Sequence, residues 1–301
     1  MQSLSRRLVK SRTLLLMLLP CLVFFAIFHY LPMFGVIISF KDYNLFRGVF
    51  DSDWVGLKHY RTFFQSRDMW ILVRNTFLLG FYSLVFGFPA PILLALSLNE
   101  VRRPRFKRLV QTVSYLPHFL SNVIVASMVI MFLSPSSGLV NKMIEALGME
   151  AVNFMVKPGL FRPIYVISGI WQQMGFAAII YLAALSSIPQ ELYEAAEIDG
   201  AGRLQRLWHV TLPGISETIV MLFILNTGTL MTIGFEKVFL LYNPAIYETA
   251  DILSTYVYRI GLVGGNFSYA AAIDMFTSVV AMTFLLMANA MSRKFAGSSL
   301  W

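Results

Sequence analysis

A few side chains inside the apolar stretches of this chain cannot sit in hydrocarbon without a partner. His118 and Asn122 are four residues apart, and Gln172 and Gln173 follow Trp171. Asn226, Thr229 and Thr232 recur along a later apolar run that ends at the charged pair Glu236 and Lys237. Asp274 and Ser278 are four apart in the last run. Amides both donate and accept hydrogen bonds, which suits them to hydroxyl-rich solutes. Each such group is costly in lipid unless it faces protein or water. Singly, each is as well explained by hydrogen bonding between helices or by the membrane interface. As a set they imply a polar path. A second group carries different chemistry: Glu191, Glu194, Glu197 and Asp199, four of the 16 acidic residues, lie in one polar stretch, 188–213, between strongly apolar runs.

That stretch reads as two short helices. Ser187 is placed to cap the first, and Pro189 suits its first turn, where a backbone N–H has no partner in any case. Leu192, Ala195 and Ala196 repeat at helical spacing and leave Gln190, Glu194 and Glu197 on the other side. Gly200 can adopt the left-handed conformation that ends a helix. Leu204, Leu207 and Trp208 form a second apolar stripe, which Pro213 is expected to stop. A helix pair with one apolar and one charged face, set between two membrane spans, is a docking element for something outside the membrane.

Several chemistries lack their residues. No Gly-x-x-x-x-Gly-Lys-Ser/Thr stretch is present to hold a nucleotide, so any ATP hydrolysis belongs to another subunit. His29, His59, His118 and His209 form no helical pair suited to zinc. No Gly-x-Ser-x-Gly elbow marks a membrane hydrolase. The single cysteine, Cys21, leaves no intrachain disulfide and no thiolate cluster. No metal or resident cofactor is expected.

The elements that must position the polar groups follow from composition. Hydrophobic residues make up 57% of the 301-residue chain and charged residues 13%, against about 25% charged in soluble domains. The reading is an all-α integral membrane protein with six transmembrane helices, each near the roughly 20 residues that cross a bilayer. They are placed at 14–40, with Pro20 and Pro32 as kinks, then at about 76–98, 110–133, 164–187, 215–235 and 269–291. Arg6, Arg7, Lys10 and Arg12 before an apolar run imitate a signal peptide, but the run continues to Phe40, so an uncleaved span is expected. Pro20 directly before Cys21 argues against a lipoprotein site. Lys and Arg are dense in short segments on one side: the N-terminus, Arg102 to Arg108, Arg203 with Arg206, and Arg293 with Lys294. That density places both termini and the 188–213 stretch in the cytoplasm, and the net charge of +8 is assigned to basic loops against anionic lipid. The opposite segments are 42–70, aromatic and charged; 134–162, with a short helix at 140–147 ended by Gly148; and 236–267.

Glu194-Ala195-Ala196, then Gly200, then Val210-Thr211-Leu212-Pro213 resembles the EAA loop of permease subunits in binding-protein-dependent ABC importers, with Val210 where that family usually has Ile. The segment from Trp54 to Tyr60, Gly138-Leu139-Val140-Asn141, and Leu182 to Pro189 are similar to carbohydrate-importer permeases of the maltose-importer-like superfamily, including those for alginate and other polysaccharide fragments. The resemblance covers about residues 14–290. It implies the type I importer permease fold, with a cytoplasmic N-terminus (1–13), a first span (14–40), an external segment (41–74), a five-helix core (75–291) containing the EAA loop (188–213), and a cytoplasmic C-terminus (292–301). It implies that Glu194, Ala195, Ala196, Asp199, Gly200, Leu212 and Pro213 couple the chain to an ATPase. It also implies that His118, Asn122, Gln172, Gln173, Glu236 and Lys237 line the substrate path. Trp171 is placed to stack on a sugar ring, or at the lipid interface. The partners it implies are a second permease subunit, two cytoplasmic ATPase subunits carrying ATP and Mg, an extracytoplasmic substrate-binding protein and membrane lipid, with no nucleic acid, in a bacterial inner membrane. The cargo would be an oligosaccharide, with an acidic one such as alginate or another oligo-uronate as an option. A permease for another solute class, a stand-alone secondary transporter or channel using Asp274, and a membrane enzyme stay open as alternatives.

Overall fold

A computed structural model describes residues 12–295; Arg6, Arg7, Lys10 and the last six residues of the expected C-terminal tail lie outside it. Helix dominates, because a backbone in lipid has no partner but itself. Among the described residues, four helices are long and apolar enough to cross a membrane: α1 (Leu16–Phe40), α3 (Arg67–Glu100), α7 (Pro158–Ser186) and α12 (Phe267–Phe295). Two further spans would each be a bent pair. In the first, α4 (Pro104–Phe119) meets α5 (Asn122–Phe132) at 103°. In the second, α9 (Arg203–Gly214) meets α10 (Ser216–Gly228) at 61°. The expected span at 110–133 is therefore corrected to a bent pair, and the one expected at 215–235 ends early, at Gly228. Pro117 removes a backbone donor just before the first break, and Ser121 caps the new helix by accepting from the Ile124 N–H at 3.4 Å.

Prolines inside the spans are absorbed rather than obeyed as stops. Wide π turns at Ala26–Tyr30, Ser83–Gly87 and Leu207–Thr211 each end two residues before a proline: Pro32, Pro89 and Pro213. A proline ring clashes with the carbonyl four residues back, and that carbonyl lies inside the π turn each time. Widening the turn there lets the helix pass. The helix passes Pro213 by a single residue and ends at Gly214, so the expected stop falls within one residue of the observed end.

The chain divides into two compact units, residues 1–66 with 257–275, and residues 67–256 with 276–301. In the first, α1 leads into an antiparallel hairpin, β1 (Lys41–Asn44) and β2 (Gly48–Trp54), and then α2 (Lys58–Gln65). The hairpin corrects the all-α expectation. Asp42 and Asp53 face each other across it, and each like charge is drawn off by a cation, Lys58 at 3.0 Å and Arg47 at 3.3 Å. Ser268 at the start of α12 accepts from the Tyr43 N–H at 2.9 Å.

The second unit holds the polar groups. It adds α6 (Leu139–Ala146), whose end at Gly148 (φ +79°) agrees with the sequence reading, α8 (Gln190–Ile198) and α11 (Phe235–Leu241). One apolar cluster joins Leu79, Ala126, Phe161, Val238, Leu241 and Ile252; another joins Ala95, Ala178, Tyr181, Leu185 and Ile215. Both wrap α7. Gly175 lets α7 meet α4 so closely that a Cβ there would collide with the Ser114 backbone.

Candidate functional site

A cavity of about 510 Å³ opens in the second unit, with walls from α3, α5, α7, α10 and α11. Asn122, Gln172, Gln173, Asn226 and Lys237 bring polar atoms to it. The break between α4 and α5 sets the first of these. It starts a new helix at Asn122, so His118 and Asn122, though four residues apart, do not share one helix face. Instead, α7 ties them together. Gln172, buried, donates from Nε2 to the Leu120 carbonyl at 3.1 Å and to Asn122 Oδ1 at 3.3 Å. Asn122 donates from Nδ2 to Glu236 Oε2 at 2.7 Å. His118 Nδ1 donates to Gln173 Oε1 at 2.8 Å, and its ring stacks on Phe176 with centroids 3.9 Å apart.

Lys237 lies on α11, beyond the apolar stretch of α10, and is only 6% exposed. Its ammonium donates to the Tyr165 carbonyl at 3.3 Å and lies 5.0 Å from the centroid of that residue's ring. No ion pair among the described residues includes it. Burial pushes its pKa down from 10.5 to about 8, since a cation loses hydration there. Glu236, its exposed neighbour, turns to Asn122, so the two adjacent charges do not pair with each other. Trp171 is 41% exposed and does not line the cavity. Thr229 ends α10 and, with Thr232, lines a smaller adjoining space. Sequence reasoning passed over Ser83 and Tyr165, which also line the cavity; their single hydroxyls carried no pairing or spacing signal.

The acidic stretch folds as α8, a turn and α9. Ser187 is not its cap, for its hydroxyl turns back to the Ala184 carbonyl at 2.8 Å as α7 ends. Gly200 has φ +77°, and Ala201 N–H reaches the Ala196 carbonyl while Gly200 N–H reaches that of Glu197, the paired closure of a left-handed helix end. Arg206 and Glu197 stand 3.5 Å apart and Tyr193 and Thr211 hydroxyls 3.1 Å apart, tying the two helices. Glu194, Ala195 and Asp199 are exposed, Ala196 and Leu212 half-buried, and Pro213 exposed. The apolar side chains Ile198, Leu204 and Trp208 are also exposed, at 86%, 69% and 60%.

The pattern of binding-protein-dependent transport system inner membrane components matches residues 87–296. The chain belongs to that family. The permease is 44% identical over 295 residues to the polygalacturonan/rhamnogalacturonan transport system permease protein YteP of Bacillus subtilis (strain 168), covering 98% of this chain and 92% of that one. It is 45% identical over 288 residues to Protein LplB of the same organism, covering 96% and 91%. Its fold is similar to a chain of a bacterial alginate ABC transporter solved in complex with an alginate pentasaccharide-bound periplasmic protein: the TM-score is 0.92, with 44% identity over 99% of this chain and 100% of that one. The permease therefore has the type I ABC importer permease fold and belongs with the transport permease subunits of the inner-membrane family. Of its sequence-selected path residues, the structure brings Asn122, Gln172, Gln173 and Lys237 to one cavity, attaches His118 and Glu236 to them, and leaves Trp171 outside.

Proposed function

We propose that this permease forms part of the membrane path for an oligosaccharide, and that the cargo is acidic. The observation that carries the proposal is the cavity in which amides from α5, α7 and α10 surround a buried ammonium without a carboxylate partner. Amides match sugar hydroxyls in both donor and acceptor roles, and a desolvated cation gains most from an anionic group. Its volume falls within the about 300–1,000 Å³ of small-molecule pockets. The polygalacturonan and alginate systems named above support the same class of cargo.

In this reading the chain crosses the membrane six times, with each bent pair as one span and both termini in the cytoplasm, in the 1–13, 14–40, 41–74, 75–291 and 292–301 division given above. The 188–213 loop is the coupling element. Glu194 meets a basic group of an ATPase subunit, the Ala195–Ala196 face and exposed Ile198 seat in its cleft, and Gly200, with Asp199, sets the turn. Leu212 and Pro213 carry the motion into α10. Two ATPase subunits supply ATP and Mg, a second permease completes the path and packs on α1, and a substrate-binding protein docks on segments 42–70 and 236–267. The test is ATPase activity of the assembled importer in vesicles with its binding protein. An acidic oligosaccharide should stimulate it and a neutral analogue of equal length should not. Equal stimulation by both removes the acidic cargo, and stimulation only by amino acids or other solutes removes the carbohydrate.

A further inference from the structure

A second space opens on α3 and α7, apart from the amide groups. It is a groove of about 500 Å³ lined by Tyr82, Phe86, Arg162, Pro163, Ile167 and Ile170, among others. Its wall is apolar or aromatic over 82–86 of α3 and 163–170 of α7, with one guanidinium at its end. Arg162 stands one turn inside α7, a helix of membrane-crossing length, so the cation lies near the depth of lipid headgroups. Arg162 donates from Nη2 to Asn75 Oδ1 at 2.9 Å, and its Nε is buried with no acceptor. Arg74 shares the same amide oxygen at 3.5 Å and donates to the Glu248 carbonyl at 3.1 Å. Fully buried Asn75 spends its own Nδ2 on the Glu248 and Asp251 carbonyls. Two guanidiniums thus converge on one neutral amide, and no ion pair among the described residues includes either of them.

We propose that this groove binds an anionic phospholipid, with the phosphate on Arg162 and Arg74 and one acyl chain along Tyr82, Phe86, Ile167 and Ile170. Guanidinium matches phosphate in geometry and charge. The apolar trough would offer a sugar no partners for its hydroxyls, and an apolar helix of a partner subunit would leave both cations unanswered. A single molecule with an anionic head and a hydrocarbon tail satisfies both ends of the site. Nothing in this assignment depends on the identity of the cargo.

The assembled importer in nanodiscs of phosphatidylethanolamine and phosphatidylglycerol provides the test. The probe is phosphatidylglycerol with a photoreactive diazirine on one acyl chain, and adducts are mapped by mass spectrometry. Adducts should fall in 82–86 and 163–170, and unlabelled phosphatidylglycerol should compete where phosphatidylcholine does not. Arg162→Gln should reduce them by roughly tenfold, the factor for losing one charge-assisted contact, while Arg162→Lys should retain most of them. Should Arg162→Gln fail to assemble, Ile167→Trp fills the groove from an exposed position and should abolish the adducts with basal ATPase activity unchanged. Equal labelling by a choline-headed probe overturns the proposal. So does displacement of the probe by an acidic oligosaccharide, or labelling of the groove only when the second permease is absent.

Discussion

Replacing Lys237 by Met keeps most of the length of the unbranched side chain and removes its charge. The shift from 10.5 to about 8 corresponds to about 3 kcal/mol by which the site disfavours ammonium over amine. What the replacement gives up is one long hydrogen bond, 3.3 Å to the Tyr165 carbonyl, and a cation over that ring. Between pH 8 and 10.5 the unfolded chain still binds the Lys237 proton while the folded chain has released it, so stability rises with pH across that window. Below about pH 8 both states are protonated and the folded protein bears the full penalty. Lys237→Met should therefore be more stable than the parent at pH 7, by up to about 3 kcal/mol, and the difference should shrink toward pH 10.5. The readout is the thermal midpoint of the purified importer at a series of pH values, parent against variant, which cancels the titration of every other group. Function should move oppositely. With the cation gone, stimulation by an acidic oligosaccharide should fall toward that given by a neutral one, and in the parent it should decline as pH passes about 8. A variant with the same stability profile and the same preference for the acidic cargo would refute the reasoning.

Gly175→Ala should lower the midpoint by an amount set by overpacking, about 1–3 kcal/mol or more, because the added carbon meets the Ser114 backbone rather than a movable side chain; membrane levels and thermal midpoints check it. Gly200→Pro cannot adopt φ +77° and loses the N–H bonded to Glu197, so it should insert normally and lose cargo-stimulated ATPase activity. Glu194→Gln, at an exposed position, should leave the fold intact and weaken coupling by as much as about 3–5 kcal/mol if its partner is left buried and unpaired; an unchanged stimulated rate would contradict the coupling role. Trp171→Ala should leave cargo stimulation within about twofold, since its ring lies outside the cavity and surface substitutions rarely exceed about 0.5 kcal/mol.

The membrane class and the long helices were legible because hydropathy is a sum over about twenty residues and survives local irregularity. The turn at Gly200 was legible because one residue type dominates that conformation. The breaks were not. Averaged over a whole span, the apolar residues around Pro117 and His118 outweigh them, so hydropathy does not distinguish a bend of 103° from a straight span there; Pro117 was the one local sign. Gly228 and Gly234, flanking Thr229 and Thr232, were the available sign that α10 ends and α11 starts anew. Asn75 escaped notice because it sits one residue before the expected start of its span, where a polar residue attracts no question, although it is fully buried. The hairpin at 41–54 offered only the Asn44 to Gly48 turn, since its strands carry charges at Asp42 and Asp53 that local ion pairs satisfy.

Those breaks are also what builds the site. A straight helix satisfies its own carbonyls and leaves side chains only a fixed spacing; irregular backbone at membrane depth survives only where it is buried in protein or lines a cavity. At the α4–α5 break the Leu120 carbonyl is met by Gln172, and the same amide holds Asn122, which in turn holds Glu236. The repair of one backbone orphan thus sets the orientation of the polar wall. Lys237 depends on a second discontinuity, because only a new helix after Gly228 can carry a cation into the buried space beside Tyr165 while the preceding span stays apolar. A change that closed either discontinuity, between α4 and α5 or between α10 and α11, would remove the cavity's chemistry without touching a residue that lines it. The geometry of the breaks, more than the count of polar residues in the spans, is therefore what makes this bundle a path.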